Sequence, residues 1–152
     1  MKRDTWIVAA VLGGIAVAIA GGSLLCTLAI AEGASQQWRF LFRLFCHGIP
    51  ERSLVMFGEA MPICARCFGI YAGLILGAMI FLSWPRIEER AARLLTFAAA
   101  IPIAFDGGTQ AAGLRMSTNT LRVSTGLAVA IAFAIWALAA VEQRRRSILT
   151  TS

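Results

Sequence analysis

A chain of 152 residues that is 59% hydrophobic and only 14% charged is long enough for one domain but too apolar for an ordinary soluble one, where about a quarter of residues are charged. Its net charge of +6 is concentrated in arginines that flank apolar runs. That placement points to membrane topology and away from a nucleic-acid partner.

Residues 6–31, WIVAAVLGGIAVAIAGGSLLCTLAIA, carry no charge and exceed the roughly 20 apolar residues that cross a bilayer. They follow a basic start, Lys2 and Arg3, and are too long for a signal-peptide core, so they read as an uncleaved anchor. Gly14, Ala18 and Gly22 recur at intervals of four, a row that admits a second helix at close range. Cys26 within this span reads as a small packing residue. Next comes SQQWRFLFRLFCH at 35–47, where Arg39, Arg43 and His47 are also spaced by four among Phe40, Leu41, Leu44 and Phe45. On an α-helix these make one polar stripe, which predicts a short helix over about 36–46 lying at the membrane surface.

The second span is 68–84, FGIYAGLILGAMIFLSW, with Gly69, Gly73 and Gly77 again four apart. PRIEERAAR at 85–93 is a charged turn that places Glu88 and Glu89 in the first turn of the next helix. The third span is irregular. Leu94 to Phe105 is too short to cross, so the helix must continue through Asp106 and Gln110 to near Leu114, giving a span of about 92–114 with Asp106 inside the bilayer or at its edge. Ser117, Thr118 and Asn119 suit the N-cap of a fourth span at 122–141. Residues 143–152 read as a solvated tail. Trp6, Trp38 and Trp84 lie near span ends, where indoles favour the interface. The fold class that follows is all-α: a polytopic membrane protein, residues 1–152 forming a single domain of four transmembrane helices and a short interfacial helix.

Topology follows from the Lys and Arg distribution. A cytoplasmic N-terminus puts eight on the inner side (Lys2, Arg3, Arg86, Arg90, Arg93, Arg144, Arg145, Arg146) and six on the outer. The expectation is a multi-pass cell-membrane protein with both termini cytoplasmic. The polar stretches 32–67 and 106–121 then share the outer face.

Those two stretches carry the chemistry. Cys46, His47, Cys64 and Cys67 offer three thiolates and an imidazole, a complete tetrahedral set for zinc. Cys64-x-x-Cys67 is a chelating spacing. Adjacent Cys46 and His47 can both reach one ion only if the helix ends there, which Gly48 and Pro50 allow. A Cys64–Cys67 disulfide or redox pair, or simply buried inert thiols, are the competing readings. Covalent haem attachment is a poor match, because Phe68 follows Cys67 where a histidine is needed. In the second stretch Asp106, Gln110 and Gly113 share a helix face. Arg52, Arg66, Arg115 and Arg122 lie on the same side of the membrane as Asp106, whose arginine partner forms either a structural ion pair or part of a site. Six outer arginines against four outer acids, with a helix N-terminus near Asn119, suit an anionic ligand such as a lipid head group, a prenyl phosphate or a quinone-like molecule. Asp106, His47 and Glu51, and also Glu59, are the candidate acids or bases.

CHGIPERS, PICARCFGIYAG and DGGTQAAGLRMSTNTLRVSTG, taken together, resemble a family of small prokaryotic membrane proteins known only as a domain of unknown function. The resemblance covers roughly 40–126 and implies that Cys46, His47, Pro50, Arg52, Ser53, Cys64, Arg66, Cys67, Gly69 and Tyr71 occupy motif positions. The same holds for Asp106, Gln110, Gly113, Arg115, Ser117, Asn119 and Arg122. The family reads C-H-Q where this chain has Gly48 in third place. The resemblance implies a site without naming its reaction.

The leading expectation is a metal centre on Cys46, His47, Cys64 and Cys67 beside a pocket for an anionic or lipid-linked ligand. That pocket would be formed by Arg52, Arg66, Asp106, Gln110, Arg115, Asn119 and Arg122. An enzyme, a binding protein and a transporter are equally compatible with it. The alternatives are a thiol-redox membrane protein using Cys64–Cys67, and an accessory subunit whose glycine rows meet a membrane partner.

Overall fold

The computed structural model describes residues 3–151; Lys2, counted above toward the inner charge, lies outside them. Four α-helices are long and apolar enough to cross a membrane: α1 (Arg3–Ala31), α2 (Ala65–Ser83), α3 (Glu89–Ala111) and α4 (Asn119–Thr151). Between α1 and α2 lie a 3-10 helix (Gln36–Leu44), a single turn (Pro50–Arg52) and an antiparallel hairpin of β1 (Ser53–Met56) and β2 (Glu59–Cys64).

The tightest contact in the bundle is between α2 and α4, and glycine makes it possible. A Cβ at Gly69, Gly73 or Gly77 would lie 2.4–2.6 Å from the carbonyl oxygens of Val123, Leu127 and Ile131 in turn. From the other side, a Cβ at Gly126 would lie 2.5 Å from the Arg66 carbonyl. Lipid gives helices no apolar drive to associate, so this close backbone packing is what holds the pair. The corresponding row on α1 behaves differently. Gly14 meets nothing within 4 Å and Gly22 meets only the Phe42 ring, because α1 buries another stripe (Ala9, Ala16, Ile19, Ala20, Ser23, Thr27). α3 buries Ala92, Thr96, Asp106 and Gln110 while Leu94, Phe97, Ile101 and Phe105 face outward. A polar interior and an apolar exterior suit a helix in lipid.

Several boundaries differ from those the sequence predicts. The surface helix is 3-10 rather than α and ends at Leu44, so residues four apart no longer stack and His47 lies beyond its end. α3 stops at Ala111 instead of near Leu114. Gly113, at φ +71°, closes it by donating its N–H to the Gln110 carbonyl at 3.1 Å, and Leu114 donates to that of Thr109 at 3.0 Å. This is the Schellman pattern, so Gly113 is a helix stop and not part of a ligand face. The expected tail beyond 142 continues α4 to Thr151, and Arg145 and Arg146 reach back to the Glu142 carboxylate at 3.3 and 3.7 Å. At 33 residues α4 is about 50 Å long and outruns the hydrocarbon core.

At the end of the bundle holding the α1 N-terminus, Thr5 donates its hydroxyl to Glu142 at 3.0 Å and Trp136 donates its indole N–H to Glu89 at 2.8 Å. These bonds tie the start of α1 and the start of α3 to the C-terminal half of α4. Both polar stretches therefore sit together at the opposite end.

Gly73→Ala is expected to destabilise the protein by about 2 kcal/mol or more, because a backbone carbonyl cannot step aside for the new methyl. Gly14→Ala, in open space, should stay within about 0.5 kcal/mol of the parent. Thermal unfolding of both variants in one detergent checks this; equal effects would contradict the α2–α4 packing.

Candidate functional site

The hairpin delivers the cysteines. Phe57 and Gly58 both have positive φ, 57° and 81°, the requirement of a type I′ two-residue turn. Pairing of Ser53 with Cys64 then returns the chain to the foot of α2. Cys64 is the N-cap of that helix, its sulfur accepting from the Cys67 N–H at 3.5 Å. Cys46 is buried beside Met61 and Ile63, and its sulfur accepts the Cys64 backbone N–H at 3.2 Å. Gly48 makes the approach possible: at φ +58°, a Cβ there would stand 2.7 Å from the Pro62 carbonyl oxygen.

The result is a cluster in which the sulfurs of Cys46, Cys64 and Cys67 lie within 4.8 Å of one another. Hydrogen bonds from the Cys64 and Cys67 thiols, with further ones from the Cys64 and Gly48 backbone, hold the Cys46 thiol far below the usual thiol range. Three thiolates on one tetrahedral zinc would be about 3.8 Å apart, given Zn–S bonds of about 2.3 Å. The cluster fits such an ion with little adjustment. His47 is not in the cluster; its side chain is exposed.

The second polar stretch meets the first through Asp106. This carboxylate, 1% exposed, is ion-paired to Arg66 on α2 and to Arg115 at 2.7 Å. Arg115 also donates its Nε–H to Thr109 at 3.0 Å. Thr118 caps α4, accepting from the Leu121 N–H at 3.3 Å. The Asn119 side chain donates to the Ser53 carbonyl at 2.9 Å and accepts from Arg122 at 2.7 Å, which binds α4 to the hairpin.

Between these groups lies a cleft of about 360 Å³. Its lining includes the three clustered cysteines and His47, together with Arg52, Arg66, Gln110 and Arg122. Of the residues expected to bind a ligand, these last four reach it. Asp106, Arg115 and Asn119 do not line it; they brace the elements that do. Neither Asp106, shared by two guanidinium groups, nor Glu51, exposed on the turn before β1, faces the cleft. Glu59 is ion-paired to Arg39 at 2.8 Å. The lining also includes Phe45 and Ile49, which no sequence signal marked beyond their position flanking Cys46–His47. Among the described residues, four buried side-chain donors have no acceptor in the protein; Arg145 Nε lies at the other end of the bundle, and the remaining three, Arg66 Nε, Gln110 Nε2 and Arg122 Nε, belong to cleft-lining side chains.

Comparison with known proteins agrees on the membrane character. A family described as "Predicted membrane protein (DUF2085)" matches residues 46–136, more than half of the chain and the part that contains the cluster and the cleft. An uncharacterized protein of Methanocaldococcus jannaschii is 40% identical over 101 residues, 60% of this chain and 65% of the relative, so the chain spans just under two thirds of that protein. Another uncharacterized protein, from Methanothermobacter thermautotrophicus, is 40% identical over 94 residues, 62% of this chain and 85% of the relative. No solved structure matches the chain.

Removing a buried countercharge leaves an unpaired charge behind, so Asp106→Ala should cost about 3 kcal/mol. Arg115→Ala, whose side chain is 40% exposed, should cost about 1 kcal/mol or less. Denaturant unfolding in detergent measures both, and the reverse order would contradict Asp106 as the brace of this end.

Proposed function

The chain belongs to the DUF2085 family of membrane proteins, and from that footing we propose that it carries a metal-organised polar cleft that binds an anionic or lipid-linked ligand. Cys46, Cys64 and Cys67 hold the ion, with zinc the best match to three thiolates. Arg52, Arg66, Gln110 and Arg122 receive the ligand. The protein sits in the cell membrane with both termini cytoplasmic, which puts the cleft at the outer face. The observation that carries this reading is the convergence of three sulfurs within 4.8 Å on a cleft whose remaining polar side chains are three arginines, an amide and the His47 imidazole.

The metal has a structural task here. It joins the loop after the 3-10 helix (Cys46) to the end of β2 (Cys64) and the first turn of α2 (Cys67), and so fixes the side of the cleft that no span supports. Metal binding of this kind adds directly to the stability of the segments it joins.

A thiol-redox role is the second reading. The Cys64 and Cys67 sulfurs, both within the 4.8 Å cluster, favour it, since neighbouring thiols in a C-x-x-C spacing are suited to disulfide exchange. A membrane-partner role rests on the α1 glycine row, which faces open space around Gly14.

Native mass spectrometry of detergent-released protein is expected to show one divalent ion per chain, with all cysteines free after denaturation. Cys46→Ser, Cys64→Ser and Cys67→Ser should each lose the ion, and Cys26→Ser should keep it. A metal-free chain lighter by two hydrogens, with Cys64 joined to Cys67, would overturn this reading in favour of the redox one.

A further inference from the structure

Resting on the three-thiolate metal reading above, we propose that the ligand is a tetrahedral phosphate-type oxyanion, with one oxygen on the metal's fourth position and the others on Arg52, Arg66, Arg122 and Gln110.

Charge is the first support. The cleft lining holds three arginines and no carboxylate, and Asp106, the acid paired to the cleft-lining Arg66, is already shared with Arg115. Arg122 is only 3% exposed, and the repulsion from Arg52 and Arg66 adds to its burial against the attraction of Asp106 and Cys64. A guanidinium so placed needs an anion.

The unpartnered donors are the second. Arg122 Nε and Gln110 Nε2 belong to side chains more than nine-tenths buried, and Arg66 Nε shares their cleft. They come from three different helices: α2 (Arg66), α3 (Gln110) and α4 (Arg122). Donors carried to one cleft by three different helices suit oxygens arranged around a tetrahedral centre. A carboxylate presents its acceptors in one plane.

The metal's own coordination is the third. Three sulfurs leave one position of a tetrahedral ion, and no fourth ligand atom joins the cluster among the described residues. All three cysteines line the same cleft as the arginines. Charge then couples the two sites. Three bare thiolates repel an anion, whereas a divalent ion reduces their charge of −3 to −1 and leaves the arginines in excess. Anion binding should therefore require the metal.

The phosphate can come from solution or from a phosphomonoester lipid. Phe45, 50% exposed, and Ile49, 38% exposed, line the cleft beside the surface-lying 3-10 helix and suit the start of a lipid's acyl chains.

The test uses cobalt-substituted full-length protein in detergent, titrated with inorganic phosphate. Phosphate should shift the cobalt d–d spectrum and bind about tenfold or more tightly than acetate, and chelation should abolish binding. Gln110→Met breaks no existing bond and should melt no lower than the parent. Arg52→Gln alters an exposed side chain. Each should weaken phosphate about tenfold with metal content unchanged. The same titration in nanodiscs, with phosphatidic acid against phosphatidylcholine, distinguishes a lipid source from a soluble one.

Metal bound stoichiometrically with no spectral response to either phosphate source would overturn this inference and leave the metal reading intact. Equal affinity for acetate would overturn it as well, as would loss of metal in His47→Ala, which would make His47 the fourth ligand. Protein that binds no metal would instead remove the reading beneath it.

Discussion

Arg66 stands between Cys64 and Cys67 on the first turn of α2 and binds Asp106 on α3. This one ion pair makes the thiol segment and the polar end of the third span into a single place. Without it, α3 would bury its carboxylate near the membrane rim with only the half-exposed Arg115 as partner, and a poorly compensated charge there is expensive for a transmembrane helix. With it, the same side chain that neutralises Asp106 also lines the cleft, its buried Nε left without an acceptor in the protein. Arg115 takes the second carboxylate oxygen and so fixes the connection into α4.

The bundle supplies the rigidity behind that pair. Close contact between α2 and α4 through Gly69, Gly73, Gly77 and Gly126 fixes the two helices that carry Arg66 and Arg122, with the Arg66 carbonyl lying against Gly126. Asn119 extends the brace to the hairpin through the Ser53 carbonyl. The cleft is thus walled by secondary structure on three sides. On the fourth it rests on the loop carrying Cys46 and His47, where a metal ion would have the most to contribute.

Much of this was legible in the sequence, and the reason is physical. Apolar runs of spanning length need no context, because lipid imposes length and hydropathy directly. Asp106 stood out because charge is rare at that depth. Which arginines it would recruit was not legible, since four were available and only geometry separates Arg66 and Arg115 from Arg52 and Arg122. The hairpin escaped notice because its turn is Phe57–Gly58, where the residue ahead of the glycine is bulky and not the usual Asn or Asp. The 3-10 helix was read as α because a spacing of four in Arg39, Arg43 and His47 fits an α-helical stripe. His47 joins the cysteines in the sequence because an imidazole next to Cys46 completes a tetrahedral set, and only the fold shows three sulfurs converging without it. Gly113 looked like one more residue on a polar face, and only the hydrogen bonds that close α3 reveal it as a terminator.

Glycine has two distinct uses in this chain. On α2 it is absence of bulk that matters, and at Gly48 it is both a left-handed backbone and a carbonyl at its back. The second use bears on the site, because it lets the Cys46 loop lie against β2.

X-ray absorption at the metal edge of the purified, detergent-solubilised protein tests the central claim most directly. The expected result is three sulfur scatterers at about 2.3 Å and one oxygen at about 2.0 Å around a single ion. A shell with a histidine nitrogen in place of that oxygen, or protein in which no ion is bound and the thiols are oxidised, would contradict it.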